Sequence, residues 1–235
     1  MILTATVFAI VTGPVQTITY EEMEAKMHEA YRALTDYKEV LAITIAAGEQ
    51  TQLLRVERLI SGPRNRVKVS VNGTEVSETG FDGLTLYAVL HPERVYQMKQ
   101  GTNDAFQQKY APADLSKEED GFFNFVPQNV YGIRIEVRPA AKVISEEVVQ
   151  IDGKPYKKIV AESPKIAQND HLRITYVFHA DRWIISSFEV DAKSRSGNTL
   201  VIKGAATEAK FSAGLTQKDF AFDVAAIPGY RRVGG

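Results

Sequence analysis

The chain has no cysteine, which removes a disulfide framework, a thiol nucleophile, thiolate-bound zinc and a lipid-modified N-terminal Cys at one stroke. It has no excess of either charge. With 28 basic and 29 acidic residues the net charge is −1, and nothing pulls on a phosphate backbone, so nucleic acid is not a partner. It has no apolar run long enough to cross a bilayer: Ile2 to Val11 falls well short of the ~20 residues a spanning helix needs. There is no G-x-G-x-x-G and no P-loop, hence no nucleotide cradle. A G-x-S-x-G context for a serine nucleophile is missing too. No period of 20–50 residues repeats, which excludes a propeller or solenoid.

The remaining chemistry-bearing residues are scattered. The four histidines are His28, His91, His171 and His179. His28 lies off the apolar stripe of its helix, His91 precedes a proline in a turn, and His171 and His179 end opposite tips of one strand, too far apart for one metal. All four read as surface imidazoles. The carboxylate runs Glu118-Glu119-Asp120 and Glu146-Glu147 read as solvated charge. Neither a metal nor a cofactor is expected, and an enzyme is not.

What is present is the composition of a globular chain, 44% hydrophobic and 24% charged over 235 residues. That length suits one all-β domain with a core that needs no staples. Residues 1–17, MILTATVFAIVTGPVQT, have the short apolar run of a secretory signal broken by Gly13-Pro14, without a preceding basic residue; we read them as an export-signal remnant, with a first β-strand as the alternative. Residues 18–235 then form the single domain, exported or periplasmic.

Thr19 and Glu22 form a capping box, with Ile18 and Met23 as its hydrophobic staple. Met23, Met27, Ala30, Tyr31 and Leu34 recur at spacings of three and four, so a helix with one apolar stripe is predicted to run to about Thr35. From Tyr37 the period falls to two. Strands are predicted through Leu41 to Ile45, Leu53 to Ile60 and Val67 to Val71, the last followed by Asn72-Gly73, a type I′ hairpin turn. Thr74 to Thr79, Leu84 to Leu90 and Arg94 to Met98 continue the meander through Asp82-Gly83 and His91-Pro92. Gln100 to Gln128 break the pattern and read as a loop and short helix carrying the cluster Phe122, Phe123 and Phe125. Sheet resumes with a hairpin of Val143 to Ile151, the Asp152-Gly153 turn and Tyr156 to Ala161, followed by Leu172 to His179, Trp183 to Asp191 and Thr199 to Lys203. The class is mainly β (α+β): about ten antiparallel strands in sequence order, a size of meander that curls.

Three stretches, in this order, carry a resemblance: Gly62-Pro63-Arg64-Asn65-Arg66-Val67; Phe81-Asp82-Gly83-Leu84-Thr85-Leu86-Tyr87 through His91-Pro92; and Asp219-Phe220-Ala221-Phe222 with Ile227-Pro228-Gly229-Tyr230. With the leading helix they resemble the periplasmic lipoprotein-carrier superfamily of LolA, LolB and RseB over residues 19 to 233. The resemblance implies an unclosed antiparallel half-barrel whose apolar concave face is covered by the N-terminal helix and the helical insertion. It implies a monomeric carrier that holds lipid or lipoprotein acyl chains in that concavity. The alternative is a periplasmic sensor or protein-interaction module of the RseB type, with a membrane-protein partner and no lipid cargo. The expected lining is Met23, Met27, Tyr31 and Leu34 on the helix, Val67, Val69 and Leu86 on the sheet, and Phe122 and Phe123 on the insertion. The carrier's lid-holding arginine precedes the Pro of its R-P motif. Here that place is Gly62, which leaves Arg58 as the nearest upstream residue to pair with the lid.

Overall fold

The computed structural model describes residues 18–100, 141–163, 169–194 and 197–233. Residues 1–17 and the insertion with Phe122 and Phe123 lie outside them. Helix α1 (Tyr20–Arg32) starts where the capping box places it. Glu22 N donates to Thr19 Oγ1 at 3.1 Å and Thr19 N donates back to Glu22 Oε2 at 2.8 Å, so two of the amides that a helix start leaves unpaired are satisfied.

Among the described residues twelve strands follow: β1 (Tyr37–Ala47), β2 (Gln50–Ser61), β3 (Arg64–Val71), β4 (Thr74–Phe81), β5 (Thr85–Leu90), β6 (Val95–Gln100), β7 (Lys142–Ile151), β8 (Lys154–Ser163), β9 (Asn169–His179), β10 (Ile185–Ser194), β11 (Thr199–Phe211) and β12 (Arg231–Arg232). The tight corner of β3 and β4 is Asn72-Gly73 at φ +48° and +84°, the left-handed pair that a type I′ turn requires. Asp152-Gly153 repeats it between β7 and β8 at +49° and +73°.

All strands belong to one unclosed sheet in the order β12-β6-β5-β4-β3-β2-β1-β11-β10-β9-β8-β7. Two meanders, β1–β6 and β7–β11, are therefore joined back to back through β1 and β11, which pair antiparallel from Tyr37↔Phe211 to Ala47↔Leu200. Two features depart from the sequence expectation. β11 runs on to Phe211 instead of ending near Lys203, because the whole length of β1 offers it backbone partners. And β12 lies parallel to β6, so the sheet is mixed at that edge.

Side chains alternate between two faces. The inner face holds the largest core cluster, with Leu41, Ile43 and Ile45 of β1, Leu54 and Val56 of β2, Val69 of β3, Leu172 and Ile174 of β9, Val190 of β10 and Ile202 of β11. Two glycines sit where rings cross them. A Cβ on Gly204 would run into the Phe188 ring and one on Gly80 into the Tyr87 ring, so each glycine leaves room for an aromatic on the adjacent strand.

The outer face of β3–β6 is covered by the C-terminal segment, residues 212–233. Its start is tied down by Asp36, whose carboxylate accepts from Gly214 N at 2.8 Å and Leu215 N at 3.0 Å. Phe220 is fully buried, and Phe222 stacks on Tyr87 with centroids 4.6 Å apart. Beneath it Arg66 donates to Glu78 at 2.7 Å and to the Asp219 carbonyl at 3.0 Å, while Tyr87 O–H donates to the same Glu78 oxygen at 3.1 Å. Tyr230 O–H and His91 Nδ1 meet at 2.9 Å, and β12 then seals the β6 edge. The expectation of four surface imidazoles is corrected at two places: His91 is half-buried under this strap, and His179 is half-buried with its Nε2 out of reach of water. Burial pulls His179 below its ordinary range.

Burial alone would raise the Glu78 carboxyl; the hydrogen bond and charge of Arg66, with Lys68 beside it, outweigh burial and hold it below the ordinary carboxylate range. Its contribution to stability is thus present above about pH 4.5 and lost as pH falls through the lowered value. Urea unfolding midpoints should fall in acid for the wild type, and that part of the slope should disappear in Glu78→Gln, which also loses about 3 kcal/mol at neutral pH by stranding Arg66. A Gly204→Ala chain should unfold with about 1–3 kcal/mol less stability, because the added methyl displaces Phe188 from a packed row.

Candidate functional site

Helix α1 lies on the inner face of the sheet. Tyr20 and Met23, the latter 0% exposed, pack on Ile159 and Ala161 of β8 and Phe178 of β9. Tyr31 packs with Tyr37 of β1 and Ile184, and Met27, Ala30 and Leu34 border that cluster beside Ile60, Ala209 and Phe211. The stripe predicted from spacings of three and four is thus the buried face, and it crosses from β8 to the lower ends of β1 and β2.

Polar contacts fix the helix at both ends. Tyr20 and Tyr176 hydroxyls meet at 3.5 Å. Lys26 of the helix and Lys157 of β8 both place their ammonium groups over the Trp183 ring, at 5.1 and 4.4 Å from its centroid, so one indole joins helix and sheet. Trp183 adopts φ +53° to turn its ring there, and Lys157 is held from behind by Glu146 at 2.8 Å. Farther along, Ile185 N donates to the Tyr31 hydroxyl at 3.4 Å.

Under the C-terminal half of the helix lies a buried ion pair. Glu39 is 0% exposed. Its Oε1 accepts from the Tyr37 hydroxyl at 3.0 Å, and its Oε2 faces Arg58 at 3.4 Å, a charge contact without hydrogen-bond geometry. Arg58 in turn lies over the Tyr31 ring, 5.3 Å from the centroid. Burial raises the Glu39 carboxyl above its ordinary range in spite of Arg58 and Tyr37, and burial with the Glu39 charge raises Tyr31 and Tyr37.

The other expected lining residues stand elsewhere. Val69 is buried in the main cluster and Val67 borders it. Leu86 is half-buried on β5, opposite Phe81. The helix residues and the β3 residues therefore occupy different stretches of the same face. Phe122 and Phe123 lie outside the described residues. Sequence reasoning missed Trp183 and Glu39. The first could not be found from pattern, since it acts from a turn between strands. The second carries a faint signal: a Glu at an inward position of an otherwise apolar alternation, Tyr37, Leu41, Ile43 and Ile45.

Two further places on the sheet gather polar groups. Glu75, Glu78 and His91 bring ligand atoms within 4.8 Å of one another on the outer face. The Lys68 ammonium is already there, 3.4 Å from Glu75 and 3.0 Å from Glu78, and supplies the positive charge. A shallow open depression of about 380 Å³ lies over Ala42, Thr44, Ser187 and Ala205 with Glu189 and Lys203, also on the outer face.

No family model matches the chain, and no curated protein matches it by sequence. Solved structures match at low identity. The chain is similar to an uncharacterised conserved protein from Thermus thermophilus, with TM-score 0.48, 11% identity and coverage of 91% of this chain and 97% of that one. It is similar to the MucA/MucB complex structure from Pseudomonas aeruginosa, with TM-score 0.45, 11% identity and coverage of 86% and 60%. A LolA superfamily protein from Nitrosomonas europaea matches with TM-score 0.35, 13% identity and coverage of 88% and 99%. A LolA superfamily member is thus among the matches.

The buried pair makes a direct test of the site's energetics. Arg58→Met should lose about 3 kcal/mol at neutral pH, because it leaves the Glu39 carboxylate without its counter-charge. The loss should shrink in acid: a carboxyl raised by burial takes up its proton there, and the penalty returns as pH rises through the raised value. Adding Glu39→Gln should recover part of the loss, read as a shift in Tm at pH 5 and pH 8.

Proposed function

We propose that this is an exported, non-enzymatic carrier that holds an acyl chain against the inner face of its sheet, with α1 as the cover. The observation that carries the reading is that the apolar inner face extends beyond the strands on which the helix packs. The apolar stripe of α1 packs on β8, β9 and the lower ends of β1 and β2. The apolar inner face continues past it through Val67 and Val71 of β3, and Leu86 and Leu90 of β5, all half-buried. A hydrocarbon chain laid there gains ~0.8 kcal/mol for each methylene removed from water, so length alone can supply the affinity. Met27 and Leu34, half-buried at the border of the helix clusters, are the cover's free margin, and Met adapts to chains of different shape. Arg58 over Tyr31 serves as the latch between sheet and cover, with Lys26 and Lys157 on Trp183 as the second fastening.

A specific observation favours one other reading, a protein-interaction module. Among the described residues β7 ends the sheet with no strand paired on one side, and Ile144, Val148 and Ile151 are exposed on it, Val148 at 67%. An added strand from a membrane-protein partner would cover them.

The two readings separate in one experiment. Purified protein extracted with organic solvent should release an acyl lipid, and it should take up a fluorescent fatty acid. Met27→Asp should weaken that uptake tenfold or more with the fold intact by circular dichroism, since it sets a carboxylate at the cover's margin. Unchanged uptake in Met27→Asp would remove α1 from the role of cover, and a lipid-free protein that recovers a membrane partner would favour the β7 edge.

A further inference from the structure

The two arms of the inner face differ in chemistry. On the β7–β11 arm, neighbouring strands align Ile159, Tyr176, Phe188 and Gly204 in one row and Ala161, Ile174, Val190 and Ile202 in the next. Those rows are apolar apart from one hydroxyl. On the other arm the register aligns Glu39, Arg58, Val67, Thr79, Ala88 and Gln97 across six strands, from beneath the helix to β6. This row is polar at both ends and at its centre. Glu39 and Arg58 answer each other. Gln97 does not: its Oε1 is buried with no hydrogen-bond partner. In the adjoining row Ser77, between Val69 and Leu90, is 1% exposed, and its Oγ is likewise without a partner. Buried polar groups almost always have partners, so two orphans on one stretch of face mark places that a bound molecule completes.

Resting on the carrier reading, we infer that this row reads the polar end of the acyl ligand. The ligand is then an acyl compound whose carbonyl is flanked by a hydrogen-bond donor, not a bare hydrocarbon chain. The donor answers Gln97 Oε1, the carboxamide N–H and the Thr79 hydroxyl answer the carbonyl, and Ser77 can do either. A glycerolipid (ester plus hydroxyl) and an acylated peptide (amide carbonyl plus N–H) share this chemistry. The hydrocarbon chain lies along Val67, Val69 and Leu90 beside the row.

Four oleoyl probes of equal chain length test it by displacement of a fluorescent fatty acid: 1-monooleoylglycerol, an N-oleoyl dipeptide amide, methyl oleate, which has a carbonyl and no donor, and 1-octadecene, which has neither. The first two should each bind about tenfold tighter than methyl oleate, the value of one well-made hydrogen bond, and whichever is tighter names the source. Thr79→Val/Gln97→Leu should erase that preference, bring methyl oleate down to the affinity of octadecene and leave octadecene itself unchanged. Ser77→Ala should reduce the preference while raising Tm, because it removes an unsatisfied hydroxyl. Equal affinities across the four probes, or a preference that survives in the double variant, would overturn the inference and leave the carrier reading standing. Failure of the wild type to bind any probe overturns both.

Discussion

The pairing of β1 with β11 is the contact on which everything else depends. Each meander alone offers strand edges and one apolar face with nothing opposite. Joined along the full length of β1, they present a single face on which a core cluster runs without a break from β3 to β9. The pairing brings together residues more than 150 positions apart, so its loop-closure entropy is paid late in folding, after both meanders can form by local hairpins. It also sets how the rows of one arm line up with those of the other. A slip of one residue would turn Leu41, Ile43 and Ile45 outward and Ala42 and Thr44 inward.

From that joint the two arms divide the work of covering the sheet. The inner face of β8 and β9 is closed by α1, and the outer face of β3–β6 by the C-terminal strap. Each cover is held by apolar burial and by a charged residue aimed at an aromatic or a carboxylate: Lys26 and Lys157 on Trp183, Arg58 on Tyr31, Arg66 on Glu78. The strap is the firmer of the two, with Phe220 fully buried and backbone pairing to β6 at its end. Among the described residues the helix is held by side chains and by the Ile185 backbone amide, which donates to the Tyr31 hydroxyl. A cover fastened by side chains can lift without breaking a strand ladder. The ion pair of Glu39 and Arg58 adds specificity to this seat at little net gain, since its desolvation offsets its attraction.

Much of this was legible in the residues. The capping box and the spacing of Met23, Met27 and Tyr31 located α1 and its buried stripe, because helix ends and helix faces are set by neighbours a few positions away. Asn72-Gly73 and Asp152-Gly153 located two hairpins, because only a few residue types tolerate φ > 0 twice in succession. The pairing of β1 with β11 was not legible, nor was the parallel β12, since alternation shows that a strand has two faces and not which strand lies beside it. His91 and His179 read as surface residues for the same reason: what buries them, Tyr230 in one case and Phe211 and Tyr156 in the other, comes from distant sequence.

For the site the division is sharper. The apolar character of Val67, Val69 and Leu86, and the helix stripe above them, follow from side-chain type at period two and period 3.6, which is local. That Arg58 would stand over Tyr31, that Trp183 would take two lysines on its ring, and that Glu39, Thr79 and Gln97 would fall in one line across six strands are facts of register. Register is decided only when the strands pair, because each backbone ladder fixes its neighbour's position to within one residue and no single segment carries that information.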